Sequence, residues 1–170
     1  MNIRIFGFTG TTVGCGPGKR FAVYTQGCSI RCPGCYAPHS HDPKGGFNKD
    51  IDELVEYIVT SDCDGISFLG GEPTEQAAAC AEIAVKVLKQ KEMDIMVSSG
   101  YTLDYLLKKA KRNQGLRSLL AVTNTLVDGG FDSTCQEKNL KYRGSLNQRI
   151  YDISEYPKTT DIYDITDSIE

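Results

Sequence analysis

Apolar residues in this chain recur at two spacings, and the spacings divide it into elements. Between residues 2 and 8, Ile3, Ile5 and Phe8 stand among Arg4 and Gly7, a near-alternation that predicts a short edge strand. Gly10, Gly14, Gly16, Pro17 and Gly18 follow, a run that predicts a loop. Residues 20–26 are compact and apolar and read as a buried strand. Helical spacing begins behind Asn48, a competent N-cap: Ile51, Leu54, Val55 and Ile58 fall on one face, with Asp50, Asp52 and Glu53 where the helix dipole favours negative charge. Residues 65–69 form the next strand pattern, and Thr74 is placed to cap a helix with Cys80, Ile83, Ala84, Val87 and Leu88 turned inward. A strand at 94–98 ends at Gly100, and Thr102 caps a helix carrying Leu103, Leu106 and Leu107. Asn113-Gln114-Gly115 reads as a stop, and residues 124–128 as a further strand closed by Gly129-Gly130.

Strands alternating with helices predict an α/β domain with mostly parallel strands. The units are too few for a closed eightfold barrel, so the expected form is an open, partial (β/α) barrel with ligands at the carboxyl ends of its strands. The cysteine-rich loop after residue 26, the loop at 70–73 and the loop at 99–101 all follow strands, which assigns them to one rim. Residues 1–150 are expected to form one domain. Residues 151–170 form an acidic tail, with Asp152, Glu155, Asp161, Asp164, Asp167 and Glu170.

Composition narrows the function classes. In 170 residues, 19 basic and 22 acidic side chains give a net charge of −3. No basic stripe supports nucleic-acid binding, and no apolar run is long enough to span a bilayer. The first residues lack the apolar core of a signal peptide, so the cytoplasm is the expected compartment. Seven cysteines, an odd number, suit a reducing compartment better than a disulfide framework.

Three of those cysteines carry the strongest signal. Cys28, Cys32 and Cys35 lie within eight residues, spaced Cys-x3-Cys-x2-Cys. Clustered thiolates suit an iron–sulfur cluster or zinc. Both centres usually take four protein ligands, so three without a near fourth suggest a metal with an open position. A structural zinc knot or an electron-carrying cluster, with Cys15 as a distant fourth ligand, is the alternative. Cys15, Cys63, Cys80 and Cys135 otherwise read as ordinary thiols, and His39 and His41 as surface loop residues. Gly70-Gly71-Glu72-Pro73 is the second motif: two glycines let a ligand approach the backbone, and a carboxylate suits a cationic amine.

Cys-x3-Cys-x2-Cys followed by an aromatic residue resembles the signature of the radical S-adenosylmethionine (radical SAM) superfamily. That resemblance implies a radical SAM type of partial barrel, a 4Fe-4S cluster held by Cys28, Cys32 and Cys35, and a fourth iron open to S-adenosyl-L-methionine. It implies contacts to that cofactor from Gly34, Cys35, Tyr36, Gly70, Gly71 and Glu72, with Tyr36 beside the adenine. Gly16-Pro17-Gly18-Lys19-Arg20, Gly34-Cys35-Tyr36, Gly100-Tyr101, Leu126-Val127-Asp128-Gly129 and the stretch Arg143-Gly144-Ser145-Leu146-Asn147-Gln148 resemble the glycyl-radical-enzyme activases, in particular the family that activates anaerobic ribonucleoside-triphosphate reductase. The implied partners are the large subunit of that reductase and a low-potential electron donor. The implied reaction is reductive cleavage of S-adenosyl-L-methionine to a 5′-deoxyadenosyl radical, which takes hydrogen from a glycine Cα. Other glycyl-radical proteins, or a small molecule, are the alternative targets.

Overall fold

The computed structural model describes residues 1–169. Strands β1 (Asn2–Thr12), β2 (Arg20–Thr25), β3 (Phe47–Asp50), β4 (Gly65–Gly70), β5 (Asp94–Ser98), β6 (Thr125–Asp128), β7 (Arg149–Asp152) and β8 (Tyr163–Asp164) form one sheet in the order β3-β1-β2-β4-β5-β6-β7-β8. Helices α1 (Ile51–Thr60), α2 (Ala77–Leu88), α3 (Leu103–Ala110) and α4 (Gln114–Val122) connect its centre.

The α/β class holds, but the expectation of mostly parallel strands is corrected. Among the described residues, only β2-β4, β4-β5 and β5-β6 pair in parallel. The outer pairings β3-β1, β1-β2, β6-β7 and β7-β8 are antiparallel. Parallel neighbours need a crossover, which helices α1, α2 and the α3–α4 pair supply. The glycine-rich bend between β1 and β2 instead returns the chain directly, with Gly16 at φ +141° and Gly18 at φ +73°.

Alternation along the central strands separates two faces. Phe21, Val23, Ile66, Phe68, Ile95, Val97 and Leu126 join the core formed with Leu54, Ile58, Ile83, Val87, Leu106, Leu116 and Leu120 of the helices. The other face presents Leu69, Ser98 and Val127 to an open cleft.

Several local expectations shift. The first strand lies inside the sheet, because β3 takes its outer edge. Asn48 belongs to β3, and Asp50 is the cap of α1, accepting the Glu53 N–H at 3.1 Å. Thr74 lies in a 3₁₀ turn, Pro73–Gln76, that precedes α2 and is capped by Glu72. Leu88 is exposed, whereas Cys80, Ile83, Ala84 and Val87 are buried. Asn113 starts a helix instead of stopping one: its side chain accepts the Leu116 N–H at 2.9 Å and caps α4.

The expected boundary at residue 150 falls within β7, where Ile150 is buried. The Thr166 hydroxyl accepts the Ile150 N–H at 2.8 Å, tying the acidic stretch to the sheet. Glu170 lies outside the described residues. Among the described residues, no helix is long and apolar enough to cross a membrane.

Candidate cofactor site

The cysteine loop leaves the carboxyl end of β2 under tight backbone control. Gly27 N–H donates to the Ser40 carbonyl at 2.7 Å and Cys28 N–H to the His41 carbonyl at 3.3 Å. The buried Gln26 side chain donates to the carbonyls of His39 at 2.9 Å and Asp42 at 2.7 Å. Cys35 N–H closes a turn on the Cys32 carbonyl at 3.1 Å. Arg31 and Gly34 adopt positive φ, 52° and 74°, which lets the loop reverse between successive thiols.

This folding brings Cys28, Cys32 and Cys35 to one cavity of about 150 Å³, bordered also by Gly70, Gly71, Glu72, Ser99 and Gly100. The rim expected from the strand order is therefore present, since these residues follow β2, β4 and β5. Among the described residues, no three His, Cys, Asp or Glu side chains converge as ligands of a single metal ion. A zinc knot gathers its donors round one ion, whereas a 4Fe-4S cube takes its thiolates on separate irons. Three thiols bordering one cavity are a donor set that fits the cube.

The other thiols stand apart from that cavity. Cys15 borders the sheet-face cleft, 3.8 Å from the Tyr24 hydroxyl. Cys63 is buried and donates to the Gly10 carbonyl at 2.9 Å, and Cys80 is fully buried on α2. Cys135 sits beside Asn147 at 3.3 Å. Burial pushes the Cys28 thiol above its ordinary pKa, with Glu72 and Glu75 adding in the same direction.

Glu72 does not present a free carboxylate. It is 1% exposed. Its Oε1 accepts the Thr74 N–H at 3.0 Å, the Thr74 hydroxyl at 2.6 Å and the Ser99 hydroxyl at 2.9 Å. Its Oε2 accepts the Gly100 N–H at 2.8 Å. Burial raises the carboxyl pKa, and these donors act against that rise. The two glycines before it also serve the protein itself. A Cβ on Gly71 would stand 2.5 Å from the Gly27 carbonyl oxygen, and one on Gly70, at φ +105°, 2.9 Å from Phe6 and the Thr25 nitrogen. The sequence assigns these glycines to ligand approach; close packing against the end of β2 and the Gly27 backbone that leads to Cys28 requires them as well.

A larger cleft of about 810 Å³ opens on the sheet face, within the range of small-molecule sites. Cys35, Gly70, Ser98, Phe131 and Gln148 border both spaces. Tyr36 lines the cleft with its ring 5.0 Å from that of Phe131 and its hydroxyl bonded to Gln136. Gly34 lines neither space and serves the turn.

The Arg143–Gln148 stretch forms the far wall as a self-fastened knot. Gln148 accepts the N–H groups of Gly144 at 2.7 Å and Ser145 at 3.2 Å and donates to the Gly129 carbonyl at 2.8 Å. Asn147 donates to the Gly130 carbonyl at 2.7 Å, and Arg143 to the carbonyls of Leu146 and Gln148. Its polar residues thus hold the loop after β6 in shape. Sequence reasoning places the loop at 99–101, with Ser99, on this rim, but misses Phe131 and reads His41 as a surface loop residue, although both line the cavity. Neither of those two carries a local signal in the sequence.

The comparisons agree with this geometry. The profile of the family described as "4Fe-4S single cluster domain" matches residues 15–151. The anaerobic ribonucleoside-triphosphate reductase-activating protein of Pasteurella multocida is 31% identical over 83% of this chain and 92% of its own length. Its namesake in Escherichia coli is 29% identical over 80% of this chain and 90% of its own, and that of Enterobacteria phage T4 is 27% identical over 80% and 85%. With the thiol-lined cavity and these matches spanning the same sheet, the chain belongs to the 4Fe-4S single cluster domain family, among the anaerobic ribonucleoside-triphosphate reductase-activating proteins.

Proposed function

We propose that the chain is a radical SAM activase. It holds a 4Fe-4S cluster on Cys28, Cys32 and Cys35, binds S-adenosyl-L-methionine, and generates a glycyl radical on the large subunit of anaerobic ribonucleoside-triphosphate reductase. The observation that carries this reading is the meeting of three thiols with Gly70, Gly71 and Glu72 round one cavity. An electron-carrying module would need a fourth protein ligand, and Cys15 borders the other cleft instead.

The cluster, once bound, would supply one electron for reductive cleavage of S-adenosyl-L-methionine, whose 5′-deoxyadenosyl radical takes hydrogen from the target glycine. The chain's own residues bind and orient. The Gly70 and Gly71 backbone would hold the methionyl amino group, while Glu72, engaged by four donors, keeps that backbone and the Ser99–Gly100 loop in register. Tyr36, which lines the cleft, would hold the adenine. Leu69, Ser98 and Val127 floor the cleft. Hydrogen-atom transfer requires no general base.

In this reading β2, β4, β5 and β6, with helices on one face and the cleft on the other, are a partial barrel of the radical SAM type. Residues 1–150 carry its cofactor-binding part, and the rest of β7 with β8 extends the same sheet. A low-potential donor delivers the electron, and the cytoplasm supplies the reducing conditions.

The test is direct. Protein reconstituted with iron and sulfide without oxygen, reduced and given S-adenosyl-L-methionine with the reductase, should yield 5′-deoxyadenosine and a glycyl radical visible by electron paramagnetic resonance. A fully loaded, reduced cluster that yields neither would sink the proposal.

A further inference from the structure

His41 sits where the cysteine loop is held closed. Its carbonyl accepts the Cys28 N–H at 3.3 Å, and its neighbours His39 and Asp42 both accept from the Gln26 side chain. The preceding Ser40 is fully buried and donates its hydroxyl to the Ala37 carbonyl at 2.7 Å. The imidazole therefore has little freedom, and it lines the same cavity as Cys28, Cys32 and Cys35. Its Nε2 is buried with no hydrogen-bond partner among the described residues. A buried polar nitrogen left unpaired costs about 1–3 kcal/mol, so an imidazole in this position needs a hydrogen-bond partner from outside the chain, and as an N–H it would need an acceptor. The cavity is lined by thiols, and the acceptors an iron–sulfur cluster brings there are sulfurs.

We infer that His41 Nε2–H donates a hydrogen bond to a sulfur of the bound cluster, a thiolate or a bridging sulfide, and so raises its reduction potential. Hydrogen bonds to cluster sulfurs favour the reduced, more negative state. The neighbouring His39 has a different place: it is exposed and meets the Phe6 ring edge-on at 4.7 Å between centroids. This inference rests on the reading of the three cysteines as cluster ligands.

The test uses the whole reconstituted protein without S-adenosyl-L-methionine. The chain has two histidines, so protein grown on histidine labelled with 15N in its ring is nearly site-specific. In the reduced protein, pulsed electron–nuclear double resonance should show a weak 15N coupling to the cluster spin. His39→Asn should keep that coupling, since His41 is then the sole histidine. No coupling in wild type, its loss in His39→Asn, or a coupling of the strength of direct iron–nitrogen ligation would overturn the inference. Redox titration gives an independent readout. His41→Leu should lower the reduced-to-oxidised ratio at fixed potential about fivefold, the equilibrium equivalent of one hydrogen bond, and His41→Gln, which keeps an N–H donor, should restore most of it. An unchanged ratio in a fully loaded His41→Leu protein also overturns it. Failure of the wild type to bind iron would instead remove the cluster reading itself.

Discussion

Glu72 accepts the backbone N–H of Gly100 at 2.8 Å, and this bond joins the loop after β4 to the loop after β5 across the cavity that the cysteines line. Replacing Glu72 with Ala strands the Gly100 and Thr74 N–H groups and the Ser99 and Thr74 hydroxyls in a buried site. Buried donors without acceptors should destabilise the iron-free protein by about 3 kcal/mol. Glu72→Gln keeps one carbonyl oxygen and should cost roughly half as much, since part of the donor set stays paired. Urea unfolding of both variants checks this. A change below about 0.5 kcal/mol in Glu72→Ala, the ordinary range for surface substitutions, would mean the loops do not depend on this carboxylate.

Gly71→Ala places a methyl 2.5 Å from the Gly27 carbonyl oxygen and 2.9 Å from that of Thr25. Both are backbone atoms of the strand and loop that lead to Cys28, so neither can swing aside. Relief requires the cysteine loop to move, at a cost of about 1–3 kcal/mol. The expected outcome is reduced iron content after reconstitution together with a lower unfolding midpoint. A variant that loads iron like the wild type would show that the loop tolerates the shift.

What the residue pattern revealed follows from what side-chain spacing encodes. Period-two alternation at Phe21 and Val23, Ile66 and Phe68, Ile95 and Val97 marks strands and their core face, and chain order then puts their ends on one rim. Alternation does not encode strand direction, so the antiparallel pairings of β1, β3, β7 and β8 were not legible. Asn113-Gln114-Gly115 has the composition of a turn, and α4 behind it was hidden because an N-cap and a stop use the same residue types. In the site, the motif spacing revealed the three thiols. The inward bonding of Glu72 and the unpaired His41 nitrogen depend on how loops close, which no local pattern records.

Asn113→Ala isolates a helix cap far from the chemistry. The Asn113 side chain accepts the Leu116 N–H at 2.9 Å, and Ala leaves that donor open. The expected loss is about 1 kcal/mol in urea unfolding, with iron content and 5′-deoxyadenosine yield unchanged.

Asp128 provides a pH signature. It is 5% exposed and accepts the Leu103 N–H at 2.6 Å, and burial raises its carboxyl pKa. A raised acid binds its proton more tightly folded than unfolded. Its protonation therefore adds stability that is complete below the unfolded carboxyl value, about 3.9, and is lost as pH rises through the higher folded value. Asp164, held below its ordinary value by its bonds from Thr166, acts in the opposite sense: its contribution is present above the unfolded value and lost as pH falls. Asp128→Asn should leave the second trend and remove the first, so the stability difference between wild type and variant should shift toward the wild type as pH falls from 7 toward about 4. A difference independent of pH would mean that Asp128 does not titrate differently in the two states.

The cysteines separate the activase from the electron carrier most sharply. Cys32 borders the thiol cavity, and Cys15 borders the sheet-face cleft near Tyr24. If three thiolates hold the cluster and leave one iron open, Cys32→Ala should lose most of the bound iron and all 5′-deoxyadenosine formation, while Cys15→Ala should load iron like the wild type. If instead four protein ligands close the cluster, Cys15→Ala should lose iron as severely as Cys32→Ala, and S-adenosyl-L-methionine should leave the cluster's resonance spectrum unchanged. Iron analysis reads ligation, and the response to S-adenosyl-L-methionine reads the open position. Paired on the same samples, they distinguish a protein that lost its cluster from one that kept a closed cluster incapable of the reaction.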